Sequence, residues 1–150
     1  MPETERQARA LEAALAAEGV TAKVVIAMRY WHPFAAEAAA ELKSWGPDRI
    51  VLLPLYPQYA APTTATAADQ AFRALMKMRW QPAIRLAPAY YDDPAYIDAL
   101  ARSMRQSLAK LDFEPEKIIA TFHGMPEKYF AAGDPYHCQC QKTSRLLREA

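Results

Sequence analysis

Apolar residues along this chain follow two alternating rhythms. Over residues 4–18 Ala and Leu recur at helical spacing, with Leu11 and Leu15 on one stripe. Residues 22–28 (AKVVIAM) are a short β-branched run closed by the polar Arg29, which predicts a buried strand. Helical spacing returns over 34–44 and stops at Trp45-Gly46-Pro47, a strong breaker. Residues 49–55 (RIVLLPL) predict a second buried strand, 65–78 a helix and 84–87 a weak third strand. Asp93 followed by Pro94 reads as a helix cap and first turn, for a helix reaching about Leu111. Residues 117–122 (KIIATF) predict another strand, and a Gly/Pro-rich loop follows. From about Gln139 the chain is helical to its uncapped end, a pattern that suggests truncation.

Strands that are apolar throughout, alternating with helices, predict an α/β fold with a parallel sheet covered on both faces. The order α-β-α-β-α-β, then α-β-α, divides the chain into two units, 1–86 and 87–150, joined near residues 87–93 (APAYYDD). In such sheets ligands bind beyond the carboxyl ends of the strands. That rule singles out three clusters: Arg29-Tyr30-Trp31-His32, Tyr56-Pro57-Gln58-Tyr59 and His123-Gly124-Met125-Pro126.

Composition narrows the field by exclusion. With 150 residues, 52% hydrophobic and 23% charged, the chain is globular rather than disordered. A formal charge of +1 with scattered basic residues gives no footing for nucleic acid. The charged N-terminus lacks a signal-peptide core and the apolar runs are too short to span a bilayer, so a cytoplasmic location is the expectation. Four glycines, none placed as G-x-G, exclude a phosphate loop, and neither G-x-S-x-G nor H-E-x-x-H occurs.

His123, directly after KIIATF, is expected to project from a strand end into a crevice, with Gly124 and Pro126 fixing the turn. An imidazole there can accept a proton or ligate a divalent metal; the alternative is a strand-end histidine bonded to a neighbouring loop. His32 is open to the same pair of readings, ligand or local hydrogen bond. His137-Cys138-x-Cys140 resembles a metal clip, but two cysteines fall short of a [2Fe–2S] cluster, which usually takes four. Tyr30, Trp31, Tyr56 and Tyr59 gather aromatic faces suited to a flat apolar ligand, or else to a core. Arg29, just past a predicted strand, pairs with a protein carboxylate or meets an anionic ligand.

Read together, these strings resemble the ferrochelatases. Arg29-Tyr30-Trp31-His32-Pro33 is similar to the family's RY-x-HP element, and Tyr56-Pro57-Gln58-Tyr59 with Thr63-Thr64 to its YPQY…TT element. His123-Gly124-Met125-Pro126 with Gly133-Asp134-Pro135-Tyr136 is similar to its H-G-hydrophobic-P…GDPY element. The resemblance covers essentially the whole chain. It implies Rossmann-like, chelatase-type parallel sheets flanked by helices, in parts of two similar domains. Residues 1–86 would be the C-terminal part of the first domain and 87–150 the start of the second, with porphyrin in the cleft between them.

The implied activity is insertion of Fe(II) into protoporphyrin IX to give protoheme, in heme biosynthesis. His123 falls on the family's invariant histidine, with a catalytic or metal-delivering role, while Arg29, Tyr30 and Tyr56 match porphyrin-side residues. No organic cofactor is implied; porphyrin is substrate and Fe(II) co-substrate. Ala60-Ala61-Pro62 stands where animal-type members place one cluster cysteine, so no iron–sulfur cluster is expected. The family's second key group, a glutamate, belongs to a later segment, so the 150 residues alone are expected to be inactive.

Alternatives follow. One is a chelatase for another metal or tetrapyrrole; within the iron enzymes, the substrate is protoporphyrin or coproporphyrin. A second is an inactive chain that binds porphyrin or self-associates through uncovered sheet edges. A peripheral membrane role is the third, although no strongly basic amphipathic helix supports it.

Overall fold

In the computed structural model, which describes residues 2–150, helices form where the apolar spacing and the local stop signals agree. The N-terminal Ala/Leu stripe becomes α1 (Pro2–Ala17), and the second becomes α2 (Ala35–Trp45). Gly46 ends α2 in the left-handed region, φ 75°, where its N–H bonds the Leu42 carbonyl at 2.9 Å. A residue without Cβ adopts that conformation at least cost.

Parallel strands β1 (Arg49–Leu52) and β2 (Ala83–Leu86) pair in register Arg49↔Ala83 through Leu52↔Leu86. Helix α3 (Thr66–Leu75) lies between them in sequence, as a parallel crossover requires. Pro54, with no N–H to donate, is one reason β1 stops short of the predicted residue 55. Ile50 turns inward with Ala39 and Leu75, against partly buried Leu42, Leu52, Ala74, Met78 and Ile84. Val51, on the opposite face, is 66% exposed. The expectation of a sheet covered on both faces is therefore corrected: among the described residues it has two strands and one covered face.

Two predicted strands do not form. A strand persists only where a second backbone completes its ladder. In residues 22–28 the Val24 N–H goes to the Glu12 carboxylate at 3.2 Å, and only Met28 makes a bridge, to Phe34. Residues 117–122 have no strand partner among the described residues, and Ile119 is 81% exposed. His123 therefore follows an irregular segment rather than a strand end.

By contacts the chain divides into two units: the residues up to Leu53 with Thr66–Leu86, and Pro54–Ala65 with Ala87–Ala150. The first unit holds α1, α2, α3 and the sheet. In the second, Asp93 caps α4 (Pro94–Leu108) by accepting from Ala95 N–H at 2.9 Å and Tyr96 N–H at 3.3 Å. A short helix α5 (Glu127–Ala131) occupies what the sequence presents as loop. Helix α6 (Tyr136–Glu149) packs on α4 and starts earlier than predicted. A single π-turn spans Ala61–Ala65. No helix among the described residues is long and apolar enough to cross a membrane.

Leu75 is 3% exposed at the centre of the first unit's small core. Leu75→Ala is expected to cost about 2–4 kcal/mol in chemical denaturation. A cost below about 1 kcal/mol, the range of surface changes, would contradict that packing.

Candidate functional site

The candidate residues lie in both units, and each cluster has its own support. In the first unit the residues after Met28 form a tight loop, closed by a Met28 N–H bond to the Pro33 carbonyl at 2.7 Å. The His32–Pro33 peptide is cis. Arg29 is partly buried and its guanidinium lies over the Tyr30 ring, 4.6 Å from the centroid. Its Nε is buried with no hydrogen-bond partner. No protein carboxylate pairs with Arg29 among the described residues. Tyr30 and Trp31 are 72% and 67% exposed and present open aromatic faces.

His32 goes the other way. Its Nδ1 is 2.9 Å from Oε2 of Glu37, whose carboxylate also accepts the Phe34 N–H at 2.6 Å. Glu37 sits at the third position of α2 and reaches back to the cap, so one carboxylate closes the helix start and fixes the imidazole. His32 is a local structural hydrogen bond rather than a free ligand. The signal for it was a Glu three residues beyond the helix cap.

In the second unit Tyr56 is half-buried and His123 exposed. The loop after Tyr56 is held by side chains from α6 and the turn ahead of it. Gln139 Oε1 accepts the Tyr59 N–H at 2.7 Å, and Asp134 Oδ2 the Ala61 N–H at 2.8 Å. Gln58 Nε2 donates to the Thr143 hydroxyl at 3.0 Å. Thr143, 1% exposed, has the Tyr91 carbonyl at 2.7 Å and that of Gln139 at 3.0 Å as acceptors. The Tyr136 hydroxyl lies near the His123 backbone and the Cys140 thiol. Burial pushes both Tyr136 and Cys140 above their ordinary values, so both are protonated at neutral pH.

His137 packs edge-on against Phe130, with ring centroids 5.6 Å apart. Cys138 is exposed and Cys140 buried, and no group of three or more His, Cys, Asp or Glu among the described residues could hold a metal. The His137-Cys138-x-Cys140 string does not converge on one point. The tie from Asp134, Gln139 and Thr143 to the Tyr56 loop was missed because its partners are about 80 residues apart, with no periodicity to announce them.

The Phe34 backbone bond, and then His32, hold the Glu37 carboxyl below its ordinary value of 4.5. As pH falls, the unfolded chain takes up this proton first. The stabilisation is therefore complete above 4.5 and is lost as pH falls through the lowered native value. A carbon-detected titration of Glu37 is expected to give a midpoint below 4.5; one at or above it would contradict the closed loop.

The ferrochelatase family model matches residues 1–150. The ferrochelatase of Rhizobium meliloti (strain 1021) is 59% identical over 142 residues, covering 92% of this chain and 42% of the relative. That of Agrobacterium fabrum (strain C58) is 61% identical over 124 residues, covering 83% and 36%. That of Rhodobacter capsulatus is 50% identical over 148 residues, covering 97% and 42%. The chain thus spans well under half the length of these curated relatives.

Proposed function

The chain belongs to the ferrochelatase family, and from that premise we propose that it is part of an enzyme inserting Fe(II) into protoporphyrin IX. The product is protoheme, and the place in metabolism is heme biosynthesis. The observation that carries the reading is a family match along the whole chain that includes all three candidate clusters.

Insertion removes two pyrrole protons from the macrocycle as the metal enters. The exposed imidazole of His123, in its neutral form, accepts such a proton or hands over the metal; either role needs a free ring nitrogen. Arg29, partly buried, offers its guanidinium charge to the carboxylates at the porphyrin edge. Tyr30 and Tyr56 offer aromatic surface to its face. Iron is substrate here, and the reading calls for no organic cofactor. With one exposed and one buried cysteine it calls for no iron–sulfur cluster either.

The small parallel sheet is read as part of a Rossmann-like chelatase sheet. On the same reading residues 1–86 belong to a first chelatase domain and 87–150 to a second. A cytoplasmic location fits the charged N-terminal helix.

Metalloporphyrin formation from protoporphyrin and Fe(II), or oxygen-tolerant Zn(II), is followed in the visible spectrum, with porphyrin fluorescence recorded in the same cuvette. The isolated chain is expected to bind porphyrin but not to turn over, because it spans 42% or less of these relatives and, among the described residues, no group of three or more His, Cys, Asp or Glu could hold a metal. Turnover abolished by His123→Ala would overturn the expected inactivity and confirm the histidine's role. Absence of any porphyrin quenching would count against the assignment of Arg29, Tyr30 and Tyr56.

A second reading has its own observation. Ile118, Ile119 and Phe122 are 55%, 81% and 40% exposed in a segment rich in strand-forming residues. A chain of this kind self-associates. Sedimentation giving a monomer across the micromolar range would remove that reading.

A further inference from the structure

Tyr136, Gln139, Cys140 and Thr143 are spaced i, i+3, i+4 and i+7, so they share one face of α6. Everything this face bonds outside its own helix is loop. Gln139 accepts the Tyr59 N–H, and Thr143 meets both the Gln58 amide and the Tyr91 carbonyl. Asp134, just ahead of the helix, uses one carboxylate oxygen on the Ala61 N–H and the other on the Tyr136 N–H, at 2.8 and 3.0 Å. It therefore joins the start of α6 to the loop after Tyr56. A carboxylate at a helix start is also favoured by the unpaired N–H groups there. Lys142, one turn from Cys138, adds a 2.6 Å ion pair to Asp92.

The loop so gripped carries Tyr56, which belongs to neither a strand nor a helix. A loop of that kind has no ladder to fix it, so its geometry comes from whatever accepts and donates along its edge. Side-chain acceptors on a rigid rod do this better than water, because they hold direction as well as charge.

We infer that this face of α6, with Asp134, is a positioning element: it seats the Tyr56 loop on one helix. Asp134, Gln139 and Thr143 are thus positioning residues that act through the loop they hold and touch no reacting atom. The inference rests on the proposed role of Tyr56, and its physical content is measurable without porphyrin. It also accounts for the aspartate of the GDPY string, since Asp134 reaches the loop.

Amide hydrogen exchange on the intact chain tests it. Gln139→Ala is expected to speed exchange of the Tyr59 amide about tenfold, the scale of one lost hydrogen bond. The Ile50 and Ile84 amides of the first unit should hold their rates. Gln139→Glu keeps an acceptor oxygen and is expected to restore Tyr59 protection, which a purely space-filling role would not require.

Tyr59 exchange unchanged in folded Gln139→Ala, or as fast in Gln139→Glu as in the alanine variant, would overturn the inference. If Gln139→Ala unfolds the second unit, the glutamate variant decides alone: native-like Tyr59 protection supports the element and its loss overturns it. A porphyrin titration by fluorescence separates the two levels. Failure of the native chain to bind strikes the proposed function and leaves the exchange result standing. Native binding weakened several-fold by Gln139→Ala is what the two together require.

Discussion

Two amides in a loop without a ladder, those of Tyr59 and Ala61, are each held by one side-chain oxygen from about 80 residues further along the chain. At 2.7 and 2.8 Å these are short, well-made bonds, and the second is charge-assisted. Half-buried backbone polar groups must find partners, and this loop finds them on α6 and on Asp134 rather than on a neighbouring strand. Thr143, nearly sealed from solvent, completes the tie by joining Gln58, Tyr91 and its own helix. The second unit owes its form to these side-chain bonds more than to apolar burial, since its buried apolar residues are few and small apart from Ile97.

The first unit solves the same problem with different means. A βαβ crossover supplies a parallel ladder, and Ile50 and Leu75 bury what apolar surface the small sheet has on one face. The loop that carries Arg29 and Tyr30 is closed by the Met28–Pro33 backbone bond and by Glu37, which serves the helix cap and His32 at once. What remains exposed there are the aromatic faces of Tyr30 and Trp31, beside a partly buried Arg29.

Local signals were legible in the sequence, and non-local ones were not. Asp93-Pro94 caps α4 and Gly46 ends α2 because each depends only on nearby backbone. The runs at 22–28 and 117–122 look as strand-like as 49–52, yet only the last finds a partner, and pairing is a property of two segments rather than one. Of the candidate site residues, Arg29, Tyr30, Tyr56 and His123 stood out by type and by motif. For His32 a local hydrogen bond was one of two readings, and Glu37 holds its Nδ1 in that way. The Gln139 and Thr143 tie has no local signature at all, because its meaning lies in the loop it holds.

The most direct test of the central claim, that Arg29, Tyr30, Tyr56 and His123 carry the porphyrin chemistry of the ferrochelatase family, is a titration of isotope-labelled chain with metal-free protoporphyrin, followed by amide chemical shifts. Shifts concentrated at those four residues and their immediate loop neighbours are the expected result. No shifts at saturating porphyrin, or shifts confined to surfaces such as Leu111 to Ile118 or the corner at Trp80, would contradict it.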